Sequence, residues 1–367
     1  MKILICSSIY PGLAGIPTYC HNLSEEFVKA GHDVSIICEQ ENNQKKFEII
    51  NKKKVYRVKL TRDLKRDMNL IESKIRDIRG DFEIVIILWY KYFRPVYSAL
   101  PSAKKVYVLP SIRKIDIKMI NKNHNFLKKY YYILKNQFSI KLEKEAIKKC
   151  DLLVSLSKKM LEQVYSEYGI KKGVLVYPGI NHKKFKLKSL KKDNTALIVA
   201  NLDPRKGIDL AINVAKGIND DLKIIVVGEG NLRASLEEKI KLLNLEKKVR
   251  LVGFKNNVED YMSRAFVYLM PSYSEGLPQV VLEAMASGLP IVAFRPDDKH
   301  FITSSKELVL KGKNGFLVQN EQEMADKINL LFKNKTLQSK MSHNSLLISK
   351  NFSREFCAKE ILRLIAG

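Results

Sequence analysis

Short apolar runs recur along this chain, each followed by a loop and then by a segment with helical apolar spacing. That alternation constrains the fold more than any other feature. The amino-terminal part shows it clearly. KILICSS (2–8) reads as a buried strand, the loop Ile9–Pro17 holds Gly12 and Gly15, and Thr18–Ala30 places Tyr19, Leu23, Phe27 and Val28 near helical spacing. Gly31 ends that helix as a cap, and Asp33–Cys38 is the next strand. Strand, glycine-containing loop, helix, strand is a βαβ unit, so the two strands belong to a parallel sheet.

The pattern continues through Glu83–Trp89, Lys105–Leu109, Leu152–Leu156 and Val174–Tyr177, all read as strands. Residues 111–149 are mostly helical in pattern and rich in Lys and Tyr. The polar, basic stretch PGINHKKFKLKSLKKDN (178–194) follows and is the best linker in the chain. A second series then begins. TALIVA, LKIIVVGEG, VRLVGF, FVYLMPS and PIVAF read as strands, with GIDLAINVAKGI and NLRASLEEKIKLLNL as helices between them. The expected fold is α/β, two doubly wound parallel-sheet domains in tandem. Ligands in such sheets sit at the carboxyl ends of the strands, which makes a cleft between the domains the expected site. The opening is similar to a Rossmann unit, although GLAG departs from GxGxxG.

Composition narrows the function. A net charge of +26 calls for an anionic partner: a phosphorylated small molecule, a nucleic acid or an anionic membrane. The excess is densest over 104–149. No apolar window approaches the ~18 residues of a membrane-spanning helix. The start MKILICSSIYPG has too short an apolar core for a signal peptide and no cleavage site after it. Five scattered cysteines without a CxxC argue for free thiols in a reducing cytosol. The six histidines (21, 32, 124, 182, 300, 343) show no ligand spacing, and there is no Asp-x-Asp to bridge a metal to a diphosphate.

The most informative stretch is PSYSEGLPQVVLEAMASGLPIVAF (271–294). A strand ends at Pro271, and Pro278 is expected in the first turn of a helix that runs to about Ser287 and is capped by Gly288. The free amides around Gly276–Gln279, with the helix dipole, make an anion site. Glu275 precedes the helix and Glu283 lies within it, seven residues between them. On spacing alone a surface acid and a solvated helix Glu remain an alternative reading.

This block resembles the E-x7-E segment of the family 4 glycosyltransferases, retaining enzymes of the GT-B fold. VYPGIN (176–181), VANLDPRKGID (199–209), VVGEG (226–230), VRLVGF (249–254), GKNGFLV (312–318) and NLSEEFVKAGHDV (22–34) are similar to further segments of that family, in the right order and over nearly the whole chain. The resemblance implies roles. Glu283 would bind the ribose hydroxyls of a nucleotide-sugar, Glu275 the transferred sugar, and the amides of Gly276 and Leu277 would assist at sugar and phosphate. Lys206 would hold the diphosphate, Gly15 would let the amino-terminal loop approach it, and Gly228 and Glu229 would lie near the nucleotide. It further implies a first domain, residues 1–180, that binds acceptor and is completed by a returning helix at about 346–367, and a second, residues 190–345, that binds donor. The donor would be a UDP- or GDP-sugar and the acceptor a saccharide or lipid-linked saccharide in surface-polysaccharide or glycan synthesis. No cofactor or metal would be needed.

Two departures stand out. Asn201 occupies the place of the family's Arg, and Arg205, four residues on, is a candidate to take over its phosphate contact. Pro110 occupies the place of the family's His, with Ser111 or Arg113 as candidate substitutes. They keep two other readings open: a GT-B relative with nucleotide-sugar epimerase activity, and a catalytically weak sugar-nucleotide-binding subunit. The Lys, Phe, Tyr, Leu and Ile interleaved over 113–149 suggest a basic amphipathic helix on the inner face of the plasma membrane, or a solvated lysine-rich helix. A nucleic-acid partner is disfavoured, because no zinc-finger, helix-turn-helix or RNP-like pattern is present.

Overall fold

The structure, a computed structural model, describes residues 1–12, 15–41, 43–61, 63–78, 80–120, 126–188, 192–297 and 299–366, with side chains described for all of these except 118–120 and 126–135. The chain forms two units: Met1–Gly179 together with Arg354–Gly367, and Ile180–Ser353.

The first unit runs β1 (Lys2–Cys6), α1 (Gly15–Lys29), β2 (Asp33–Glu39), β3 (Phe47–Ile50), β4 (Lys53–Val58), α2 (Leu64–Asp77), β5 (Ile84–Ile87), α3 (Phe93–Ala99), β6 (Lys104–Leu109), α4 (Arg113–Ile120), α5 (Phe126–Lys149), β7 (Leu152–Ser155), α6 (Lys158–Tyr168) and β8 (Val174–Leu175). Its sheet has the order β3-β4-β2-β1-β5-β6-β7-β8. All pairings are parallel except β3 on β4, an antiparallel edge that the sequence reading did not assign. Every residue of Ile84–Ile87 is buried. Burying each such aliphatic side chain stabilises the fold by about 1.5–3 kcal/mol.

The second unit runs β9 (Thr195–Val199), α7 (Ile208–Val214), β10 (Lys223–Val227), α8 (Arg233–Leu242), β11 (Val249–Leu251), α9 (Val258–Arg264), β12 (Val267–Met270), α10 (Gln279–Ala286), β13 (Ile291–Phe294), α11 (Ser305–Leu308), β14 (Gly315–Val318), α12 (Glu321–Lys333) and α13 (Lys335–Ser349). Its sheet is wholly parallel, in the order β11-β10-β9-β12-β13-β14. The order reverses between β9 and β12. In an open parallel sheet that reversal leaves a crevice outside the carboxyl ends of the two strands. The core beneath is aliphatic and includes Ile198, Ile212, Val226, Leu269 and Val292, each almost wholly buried.

The last helix, α14 (Arg354–Ala366), packs on α1 in the first unit. Arg354 Nε lies 2.8 Å from Glu26 Oε1, and both side chains are largely buried. The return therefore begins at Arg354 rather than near residue 346, because Leu346–Ser349 complete α13, which packs on α10. The basic stretch 113–149 divides into α4 and α5. Much of its proposed lipid-facing surface lies outside the described residues. No helix among the described residues is long and apolar enough to cross a membrane. All five cysteines are free and buried.

Candidate active site

The residues singled out from sequence in the second unit gather where β9 and β12 end side by side. Beyond Val199 the chain makes a tight 3-10 turn, Pro204–Lys206, capped by the Asp203 carboxylate, which accepts the Arg205 N–H at 2.9 Å. Gly207 then turns into α7 with φ +63°, and a Cβ there would stand 2.1 Å from the Pro271 carbonyl oxygen. Only a glycine lets the turn press this closely on the segment leaving β12. The Arg205 carbonyl accepts the N–H of Tyr273 at 2.8 Å and that of Ser274 at 3.4 Å. With the two backbones joined, Lys206 Nζ reaches Glu275 Oε1 at 2.5 Å, and Ser272 Oγ donates to the same oxygen at 3.2 Å. The ion pair is largely withdrawn from water, with side chains 19% and 16% exposed.

A second strap holds the same segment from its other side. Ile302 N–H donates to the Tyr273 carbonyl at 2.7 Å, and Glu275 N–H donates to the Ile302 carbonyl at 3.1 Å. The Tyr273 ring stacks on Phe301 with centroids 5.6 Å apart, and Phe301 stacks on Phe294 at 4.4 Å. Tyr273 Oη donates to Asp209 at 3.2 Å. The sequence reading assigned nothing to 295–304 and missed these supports. Their aromatic residues carry no periodic signal, and only the folded sheet brings them together.

Helix α10 begins at Gln279, with Pro278 at the N-cap (ψ 96°) rather than inside the first turn. Proline serves there because the cap position is extended, not helical. The N–H groups of Gly276 and Leu277 have no acceptor among the described residues. Unpaired amides beside the positive end of a helix are groups suited to an anion. Gln279 Nε2 is buried and has no hydrogen-bond partner among the described residues.

Glu283 lies one turn inside α10. Burial pushes its carboxyl up to about 8; the charge of Lys184 opposes the rise and that of Glu259 adds to it. Lys184 is shared, its Nζ 3.4 Å from Glu259. A carboxyl whose folded pKa is raised stabilises the fold fully below its unfolded value, near 4.5, and loses that contribution as pH climbs through about 8. Glu283→Gln, which cannot ionise, is therefore expected to match wild type in melting temperature at pH 4 and to exceed it by roughly 10 °C at pH 9, since a rise from 4.5 to about 8 is worth several kcal/mol. Thermal unfolding across that range checks the sign; equal curves at both pH values would mean the group is already ionised.

The remaining positions are more open. Gly228 follows β10 with φ +147°, and its missing Cβ would stand 1.9 Å from the Ala200 carbonyl oxygen. Glu229 is exposed and paired with Arg233 at 2.6 Å. Asn201 is exposed, while Arg205 is partly exposed and lies 3.3 Å from Asp203. Gly15 opens α1 in the first unit, with nothing within 4 Å of its would-be Cβ. The first unit's Ser111 bonds Asp116 at 2.7 Å, and Arg113 bonds Asn136 at 2.8 Å, so both side chains join a local network. Glu143, which accepts from Arg113 N–H and the Tyr168 hydroxyl, is pushed up to about 7 by burial. Among the described residues no cluster of His, Cys, Asp or Glu could hold a metal ion.

Residues 179–346 match the family described as glycosyl transferases group 1, and residues 13–184 match glycosyltransferase family 4. An uncharacterized glycosyltransferase of Haemophilus influenzae is 29% identical over 349 residues, 92% of each chain. The Campylobacter jejuni N-acetylgalactosamine-N,N'-diacetylbacillosaminyl-diphospho-undecaprenol 4-alpha-N-acetylgalactosaminyltransferase is 30% identical over 250 residues, 66% of each chain. Among solved structures, Anabaena HepE in complex with UDP-glucose superposes with a TM-score of 0.79 at 18% identity, covering 100% of this chain and 99% of that one.

Proposed function

Because this chain belongs to the family 4 glycosyltransferases of the GT-B fold, we propose that it moves a sugar from a UDP-sugar to a lipid-linked saccharide, with retention and without a metal. The Lys206–Glu275 pair at the crevice between β9 and β12, 2.5 Å apart and beside free main-chain amides, is the observation that supports this most. As the bond from the anomeric carbon to phosphate oxygen breaks, the leaving diphosphate gains negative charge. Lys206, the Gly276 and Leu277 amides and the α10 amino end meet that charge with groups already in place. Glu275 accepts from hydroxyls of the transferred sugar, and Glu283 from the ribose. Retention follows a front-face route: the acceptor hydroxyl forms its new bond on the side the phosphate leaves, and its proton passes to the leaving phosphate oxygen. A uridine donor is favoured because the structural relative binds UDP-glucose. The lipid-linked acceptor rests on the name of the Campylobacter relative.

The test is acceptor-dependent UDP release from UDP-sugars with undecaprenyl-diphosphate-linked saccharides, with product anomers read by NMR and EDTA present throughout. An inverted product or loss of activity in EDTA overturns the corresponding part. Donor turnover without acceptor would favour an epimerase, and tight UDP binding without turnover a partner subunit. The departure at Asn201 has its own check. Arg205→Ala is expected to weaken UDP binding about tenfold in calorimetry, the range of one hydrogen bond to a charged group. An unchanged Kd would place the diphosphate away from Arg205.

A further inference from the structure

Apart from the crevice, the second unit has a cavity of about 310 Å3 at the carboxyl end of α10, where the segment before β9 meets α13. His182, Lys186, His343 and Lys350 line it, over a bed that includes Leu346 and Leu347, and no acidic residue takes part among the described residues. The lack of countercharge is local. Along the same segment Lys184 pairs with Glu259 and Lys188 with Asp260, while Lys186 between them pairs with nothing described. His343 and Lys350 likewise make no ion pair among the described residues. Lys340, His343 and Leu347 on α13 and Lys350, which caps its end, are all exposed and fall on one stripe at helical spacing. His182 Nε2 donates to the Ser349 carbonyl at 3.0 Å, which ties the two walls together.

Leu347, 47% exposed among these cations, is the informative residue. A site for a small free anion would gain nothing from an exposed leucine, whereas an amphiphile meets both chemistries at once. We propose that this face docks on an anionic bilayer, with Lys186, Lys350, His182 and His343 against phosphate headgroups and Leu347 entering the acyl boundary. The proposal stands apart from the transferase reading and assigns a membrane contact to the second unit, separate from the basic stretch of the first.

The full-length protein tests it. All five natural cysteines are buried, so L347C can be labelled selectively with an environment-sensitive fluorophore. On phosphatidylcholine vesicles containing phosphatidylglycerol the label should shift to the blue and be quenched by brominated lipid. The same label on L242C, at the 78% exposed Leu242 of α8, should not respond. K186Q/K350Q should partition roughly 25-fold more weakly, about fivefold for each lysine at an anionic surface. K216Q/K241Q, two exposed lysines elsewhere in the unit, should lose less than fivefold. The proposal is overturned by an unquenched label at 347, or by equal losses in the two double variants. It is also overturned if inorganic phosphate alone saturably shifts the label while vesicles do not, which would make this a site for a soluble anion.

Discussion

Lys206→Met is expected to lower kcat/KM for the nucleotide-sugar by roughly 10²–10³-fold, the loss that follows removal of one preorganised group facing developing negative charge. The reason lies in where Lys206 sits. The 3-10 turn fixes it, Gly207 brings that turn against Pro271, and Glu275 already orients its ammonium. A flexible surface lysine would have to be ordered during reaction; this one is ordered beforehand. Because the charge grows as the bond breaks, the loss should fall mainly on kcat, with the KM for the nucleotide-sugar changed less. Glu275→Gln should also cost activity, and the two losses should not add, since each removes the partner of the other. A double-mutant cycle on kcat/KM, with far-UV circular dichroism to confirm folding, reads both points. A methionine variant within fivefold of wild type would remove Lys206 from the transition state.

Gly228→Ala should cost about 3–5 kcal/mol of stability, which combines an unfavourable φ with overpacking against fixed backbone. Its Cβ would stand 1.9 Å from the Ala200 carbonyl oxygen, at φ +147°. That carbonyl cannot yield easily: Ala200 N–H bonds the Val227 carbonyl at 3.0 Å, and Leu202 N–H bonds the Glu229 carbonyl at 2.9 Å. Gly15→Ala is the comparison, because nothing lies within 4 Å of its Cβ. It should change stability by less than about 0.5 kcal/mol. Denaturant unfolding of both variants separates the steric effect from a general intolerance of alanine. Gly228→Ala with a wild-type midpoint would contradict the close approach.

Much of the fold was legible because most strands are buried on both faces and therefore read as unbroken apolar runs, as in IVII (84–87) and IVAF (291–294). Where that condition fails, the reading failed too. β4 carries Lys53 and Arg57 inward, both nearly inaccessible to water, where they pair with Glu25 and Glu48. A strand that buries cations does not look apolar, so β4 does not stand out, and its edge partner β3 is too short and too exposed to mark the pair. Val174–Tyr177 shrank to Val174–Leu175, because Tyr177 and Pro178 leave the ladder. In the candidate site, the residue types and the E-x7-E spacing were visible in the sequence. The meeting of Lys206 with Glu275 was not. They are neighbours only because β9 and β12 adjoin in the sheet. Nor could spacing show that Tyr273, Phe301 and Ile302 brace the loop that carries Glu275.

The first unit is interrupted in sequence: it begins at Met1, pauses at Gly179 and resumes at Arg354. A ribosome making this chain thus delivers every residue of the second unit before the helix that Glu26 and Tyr19 meet in the first. The second unit can fold on emergence, as one contiguous stretch. The first must wait, with the groove beside α1 uncovered, until the closing segment clears the exit tunnel. A stop codon just after Ser353 would then injure the opening half of the protein while sparing the part synthesised next to the break.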